Sequence, residues 1–246
     1  MRIALFADIH ANRQAFEACL AAAAAAGVER FVVLGDIVGY GADPRWCVDR
    51  VRELIDAGAI VVCGNHDLAV ATDPGALPGN AGLAAAWTRA QLDRQQLDFL
   101  ARLPLAASDA DRYYVHAQAV APGRWDYVRD EVDAQAHFSA CPARLSFCGH
   151  VHRPALFGQT QGATRIERLP LDQGVCTLWR ERRWLAVVGS IGQPRDGNPA
   201  AAWCLLDTAS DQLHFLRTDY NLNAAMASIA LAGLPDEFGW RLAEGC

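Results

Sequence analysis

One pattern constrains this chain more than any other: short apolar runs that read as buried strands, each broken at its C-terminal end by a carboxylate, an imidazole or an amide. The densest case is Val61-Val62-Cys63-Gly64-Asn65-His66-Asp67-Leu68-Ala69-Val70. β-Branched residues suit a pleated surface covered on both faces, so Ile60–Cys63 is predicted as a buried strand. Three polar side chains follow it at once. The same transition recurs after Ile3–Ala7 (Asp8, His10, Asn12), Phe31–Leu34 (Gly35, Asp36), Arg112–Val115 (His116) and Leu145–Cys148 (Gly149, His150, His152). Ligands of α/β sheets bind beyond the carboxyl ends of the strands, so the fold must gather these groups at one edge. Residues two apart at a strand end are expected to project to the same side, which lets Asp8/His10 and His150/His152 each grip one centre.

Between the strands of the first half lie helical patterns. Asn12 to Ala26 has Asn12 as N-cap, an alanine-rich body and Gly27 as its stop. A second helix opens at Asp43-Pro44, with the proline where a missing N–H is harmless, and ends near Gly58. A third helical region is expected from about Ala81 to Leu103. Strands separated by helices imply parallel pairing with helices on the sheet faces. The second half reads instead as short strands with few helices: Ala155–Gly158, Trp184–Val188, Ala202–Leu206 and Leu213–Leu216. The expected architecture is therefore α/β, with two stacked mixed sheets flanked by helices. No linker, repeat or low-complexity tract beyond Ala21–Ala26 divides the chain, so residues 1–246 are read as one domain.

A single Asp after a strand is usually a turn former, and a single His is usually satisfied by its surroundings. The concentration argues otherwise: five of only seven histidines stand at strand ends, with His137 and His214 left over. Burying so many polar groups together is costly without a partner, and a metal would satisfy them. The set is oxygen and imidazole without thiolate, which suits Mn, Fe, Co, Ni, Zn or Mg over a structural zinc. Seven candidate ligands exceed one ion and suit two ions sharing a carboxylate, an arrangement used for in-line displacement at phosphorus.

The bulk properties narrow the partners. Formal net charge is −6, from 28 acidic and 22 basic residues, and no cationic run points to long nucleic acid or an anionic membrane. The eight cysteines form no C-x-x-C pair, and several sit in apolar stretches, as reduced thiols of a cytoplasmic protein would. No apolar run is long enough to span a bilayer. Nothing in the sequence sets the oligomeric state.

The ordered series D-x-H (Asp8, His10), G-D (Asp36), G-N-H-D (Gly64–Asp67), His116 and G-H-x-H (Gly149–His152) resembles the calcineurin-like metallophosphoesterase superfamily. The stretch Val188–Pro199, VGSIGQPRDGNP, is similar to the late loop of its small, single-domain bacterial members. The resemblance implies a four-layer α/β/β/α sandwich. It also implies two divalent metal ions, the first held by Asp8, His10 and His152, the second by Asn65, His116 and His150, with Asp36 bridging. A hydroxide between the ions would attack phosphorus. His66 would be no ligand, but would sit by the phosphate and donate a proton to the departing oxygen.

Two departures from that pattern bear on function. Protein phosphatases of the superfamily continue the G-D motif into an Asp-Arg pair whose Asp orients the catalytic His; Gly39 and Tyr40 stand there in this chain. Asp67 becomes the nearest carboxylate able to take that part, the alternative being a structural role, with Asn12 as another supporting residue. After His116, relatives continue with Gly and a small hydroxyl residue, whereas this chain has Ala117 and Gln118, followed by a loop through Arg124 and Trp125. Arg195 is a candidate contact to a second phosphate. The expected activity is hydrolysis of a small phosphodiester or phosphoanhydride, such as a dinucleoside polyphosphate, or of a phosphomonoester. The alternatives are a protein phosphatase, a single-zinc hydrolase, or a non-catalytic scaffold on the same fold.

Overall fold

In the computed structural model, which describes residues 1–246, twelve strands form two six-stranded sheets. The first sheet is built on β1 (Arg2–Phe6), β2 (Arg30–Val33) and β3 (Ile60–Val61), which run parallel. Antiparallel strands β11 (Ala201–Asp207), β12 (Gln212–Thr218) and β9 (Val175–Thr177) extend it beyond β1. The second sheet mirrors this plan. Its parallel trio is β5 (Arg112–Val115), β6 (Leu145–Cys148) and β10 (Arg182–Val187). Antiparallel β4 (Ala106–Asp109), β7 (Ala155–Thr160) and β8 (Ile166–Leu169) complete it.

Period-two alternation sorts the strand residues into layers. Ile3, Leu5 and Ala7 of the β1 segment point between the sheets, with Val32, Leu34, Tyr114, Phe147, Trp184 and Leu206. Ala4 and Phe6 point the other way, onto α1 (Arg13–Ala25) and α2 (Pro44–Asp56) through Phe16, Cys19, Val48 and Val51. Behind the second sheet, α6 (Glu131–Ala140) packs Ala134 and Phe138 against Val115, Phe157 and Leu185. The result is helix, sheet, sheet, helix. Each fully buried Leu, Ile or Phe adds about 1.5–3 kcal/mol relative to exposure.

Asn12 caps α1 as expected, its side chain accepting from the Ala15 N–H at 3.1 Å. The helical stretch expected from Ala81 to Leu103 is instead α4 (Gly79–Gln91) and α5 (Arg94–Ala101). Asp93 starts the second helix by a capping box, accepting from Gln96 N–H while the Gln96 side chain accepts from Asp93 N–H. The short α3 (Asn65–Ala71), and α6, α7 (Leu222–Leu231) and α8 (Asp236–Glu244) were not anticipated, so the second half holds more helix than its pattern suggests. α6 buries only Ala134, His137 and Phe138, and α7 is apolar nearly all round, so neither shows a hydrophobic stripe. No helix is long and apolar enough to cross a membrane.

His137 lies fully buried on α6, accepting from the Ala119 N–H, with Tyr113 of β5, Arg183 of β10 and Cys141 as its ionisable neighbours. Burial, reinforced by the Arg183 charge, pushes its pKa down to about 3. The unfolded chain binds a proton there below about pH 6.5, whereas the folded chain stays neutral. Stability from this residue is therefore present above pH 6.5 and is lost towards pH 3, at about 1.4 kcal/mol per pH unit. Urea midpoints of wild type and His137→Gln between pH 6.5 and 4 are expected to converge as the wild type loses this increment and the variant does not.

Candidate metal centre

The loops that follow the six parallel strands meet at one edge and are stitched together by backbone hydrogen bonds. Asp8, His10 and Ala11 donate to the carbonyls of Gly35, Asp36 and Ile37 at 2.9–3.1 Å. Ile191 and Gly192, in the loop after β10, donate to Ala7 and Asp8, and Gly149 donates to His116. Ser190 adds a hydroxyl bond to the Asp8 carbonyl, and Asn12 Nδ2 donates to Gly192. Each loop thus fixes its neighbours.

The strands stop before the polar residues begin, so the alternation expected of a strand does not position them. Asp8, His10, Asp36, His150 and His152 all lie in the left-handed region, with φ between 49° and 65°. Asp and His tolerate this region better than bulky residues, yet each such position costs on the order of 1–2 kcal/mol. Strain of this kind clusters at functional sites held by their surroundings. Here the surroundings are the hydrogen bonds between loops.

Two ligand groups result, with Asp36 in both. Asp8, His10, Asp36 and His152 form one, and Asp36, His116 and His150 the other, all buried, with the candidate ligand atoms of each group within 4.8 Å. Asp36 Oδ1 accepts the His66 N–H at the start of α3, at 2.8 Å. Its Oδ2 lies 3.7 Å from His10 Nε2 and 3.4 Å from His116 Nε2. Asn65 Oδ1 lies 3.1 Å from His116 Nε2, which adds the amide to the second group.

Four backbone carbonyls orient the four imidazoles. His10, His116 and His152 turn Nδ1 to Val38, Leu34 and Gln193, at 3.2, 2.7 and 2.6 Å, and His150 turns Nε2 to Trp125 at 3.0 Å. In the neutral ring the proton sits on that nitrogen and the lone pair faces inward, the arrangement that hydrogen-bonded carbonyls give metal-bound histidine. His10 Nε2 then meets His152 Nε2 at 3.1 Å, and His116 Nε2 meets His150 Nδ1 at 3.1 Å. Lone pairs facing each other at that distance repel unless a proton or a metal cation lies between them. The electrostatics agree. Burial disfavours charge on His116, yet Asp36 overrides it and lifts the pKa to about 9. Burial holds His10 well below its usual value and His150 down at about 3. The donor set therefore fits divalent metal.

His66 stands at the rim. Its ring centroid is 4.6 Å from Tyr40 and 5.0 Å from His10, and burial depresses its pKa to about 4. Nδ1 is buried without a partner and faces Gly39, where an added Cβ would approach it to 2.5 Å. No carboxylate orients it. Asp67, the residue nearest in sequence, accepts instead from Ile37, Val38 and Gly64 N–H at 2.9–3.2 Å and anchors the Asp36 loop. Burial and neighbouring Asp36 raise the Asp67 pKa to about 7, against the pull of those bonds. Arg195 stacks over Tyr40 at 5.8 Å and lies close enough to lower the pKa of both His10 and His66.

Sequence reasoning missed Tyr40 as the ring packed on His66, and Tyr127, which stacks on His150 at 4.2 Å and 13°. The first signal available was the Gly39-Tyr40 departure itself. Ala117 keeps a negative φ and is buried, so the alanine there causes no strain. Gln118 bonds to the Asp133 carbonyl, and Trp125 reaches the site through its carbonyl, at His150, and through its ring, edge-on to His116 at 5.9 Å.

Residues 1–211 match the calcineurin-like phosphoesterase superfamily domain, and the chain belongs to that superfamily. An uncharacterized protein of Methanocaldococcus jannaschii is 32% identical over 250 residues, covering 99% of this chain and 98% of its own. The crystal structure of a metallophosphoesterase from Sphaerobacter thermophilus matches with a TM-score of 0.87 and 34% identity, over 100% of this chain and 99% of that one. A hypothetical protein from Pyrococcus horikoshii shares the fold with a TM-score of 0.80 at 20% identity, over 100% and 98% of the two chains.

Asp67→Ala leaves three buried N–H donors unpaired and is expected to cost about 3 kcal/mol or more of stability in urea unfolding. Gly39→Ala is expected to retain bound metal while losing most turnover, because the new methyl displaces His66; metal analysis beside an aryl phosphodiester assay separates the two effects.

Proposed function

We propose that the chain is a dinuclear-metal phosphoesterase hydrolysing a small phosphodiester or phosphoanhydride. The observation that carries this reading is the two inward-facing imidazole pairs about one shared carboxylate, with His66 free of ligand duty beside them. Asp8, His10 and His152 would hold one ion, Asn65, His116 and His150 the other, and Asp36 both. Ions bound there supply Lewis acidity toward phosphoryl oxygens and lower the pKa of water.

The chain's own residues perform the rest. With Nδ1 turned to Gly39, His66 presents Nε2 away from that packing. Water oxygen bonds to phosphorus and releases a proton to solvent as the bond to the leaving oxygen breaks. That oxygen takes the proton from Nε2 of His66, whose protonated form the negative charge of the bound phosphoryl group favours over the neutral ring of the free site. Arg195 holds a non-reacting phosphoryl oxygen or a second phosphate, and Asn65 joins the second group without adding negative charge. The Gly39-Tyr40 pair supplies no charged partner to His66, which favours a small phosphorylated substrate over protein dephosphorylation.

His66→Ala is expected to keep its divalent metal and lose about 10²–10⁴-fold in turnover of an aryl phosphodiester. Asp36→Asn is expected to lower metal content itself. Wild-type rates in His66→Ala would remove the proton-donor assignment, and a chain that takes up no divalent ion and cleaves nothing would remove the enzyme.

A further inference from the structure

Beside the centre runs a groove of about 420 Å³ whose polar lining is cationic, formed by Arg129, Arg153, Arg168 and Arg195 with Tyr127 and Val151. No acidic residue lines it. The chain has no lysine, so all 22 of its cationic side chains are arginines. Fifteen of these pair with a carboxylate within 4.0 Å. Of the seven that do not, three converge in this groove: Arg153, Arg168 and Arg195. In an acidic chain that pairs most of its arginines, this concentration is out of proportion.

Local structure holds the charges apart from relief. On β8, Glu167 faces away from Arg168 and bonds to Arg182. The Arg168 guanidinium lies over Phe157 at 5.9 Å. Arg153 Nε donates to the Arg195 carbonyl, and Arg195 Nη2 to Gln193 Oε1 at 2.8 Å, so both are placed by neutral acceptors that leave the positive charge uncompensated. Arg195 Nε is buried with no acceptor at all. Arg129 has an Asp133 contact at 3.4 Å and otherwise lies over the Tyr127 ring.

The groove's lining adjoins the loop that carries His150 and His152. Val151 and Arg153 alternate with His150 and His152, Arg195 N–H donates to the His152 carbonyl, and Tyr127 stacks on His150. An anion bound there sits beside a phosphoryl group held at the centre. Guanidinium forks match phosphate oxygens bidentately, as the compact ammonium does not.

We propose that this groove is the subsite for a second, non-reacting phosphate, which makes the substrate a phosphoanhydride with at least two linked phosphates. This identification rests on the phosphoesterase reading, but binding does not depend on turnover. The probe is imidodiphosphate, whose P–N–P link resists hydrolysis, titrated calorimetrically into the metal-loaded chain in excess Mg²⁺ and compared with orthophosphate. Wild type is expected to bind imidodiphosphate at least tenfold more tightly than orthophosphate. In the double variant Arg153→Gln/Arg168→Gln the preference is expected to fall below threefold, with the melting temperature unchanged because both side chains are exposed.

A ratio of one in wild type, or an unchanged ratio in the double variant, would overturn the subsite. So would a single-stranded decanucleotide that binds this groove more tightly than imidodiphosphate, which would make the ligand nucleic acid. If His66→Ala kept full activity, the mechanism would fall while the binding ratio stood. Arg129→Gln serves as a second variant, expected to reduce the ratio by a smaller factor because Asp133 already shares its charge.

Discussion

The carboxylate of Asp36 carries two obligations at once, and the edge of both sheets is arranged around them. One oxygen accepts the first-turn amide of α3, which fixes the direction of the group. The other faces His10 and His116, one from each sheet's parallel trio. A side chain at Gly64 would run into this carboxylate, so the glycine ahead of Asn65 is required by close approach. A buried negative charge between four imidazoles is tolerable only if positive charge joins it. The inward lone pairs and the elevated His116 pKa are two expressions of that deficit.

Meeting this demand distorts the chain around it. Asp36 and the four ligand candidates Asp8, His10, His150 and His152 about it adopt left-handed backbone, which unsupported loops would not hold. Support comes from the loops bonding to one another, while a separate set of carbonyls orients the histidine rings. Asp67 belongs to this support: it binds three amides at the root of the Asp36 loop and never touches His66. Strain at the centre and order in the loops are therefore one design, and loosening either releases the other.

Much of this was readable beforehand. Short apolar runs ending in Asp, His or Asn identify the β1, β2, β3, β5 and β6 loops, because a buried strand needs a reason to end in polar groups. The fold class followed from strands alternating with helices in the first half. The left-handed turns were not readable, since Asp and His carry no glycine-like signature. The helices α6, α7 and α8 were not readable either: α6 buries few residues and α7 lacks a polar face, so neither has a period to detect. Asp67 could be read either as the group that orients His66 or as a structural carboxylate; its bonds to three amides make it the second, because adjacent residues on a helix point about 100° apart.

The absent Asp-Arg pair has a structural consequence. Where a carboxylate would orient the imidazole, Tyr40 and Gly39 confine His66 by shape. Tyr40 is itself held from behind by Phe238 of α8, at 5.2 Å, and the small core of α7 and α8 includes Ala84 of α4. These C-terminal helices lie beyond residues 1–211, the part matched to the superfamily, yet they reach His66 through one aromatic ring. Orientation by packing leaves Nδ1 without a hydrogen bond, so His66 is not polarised from behind as a carboxylate-paired imidazole is. The charges that set its protonation then lie in front of it: Asp36, which favours the charged ring, and Arg195, which opposes it.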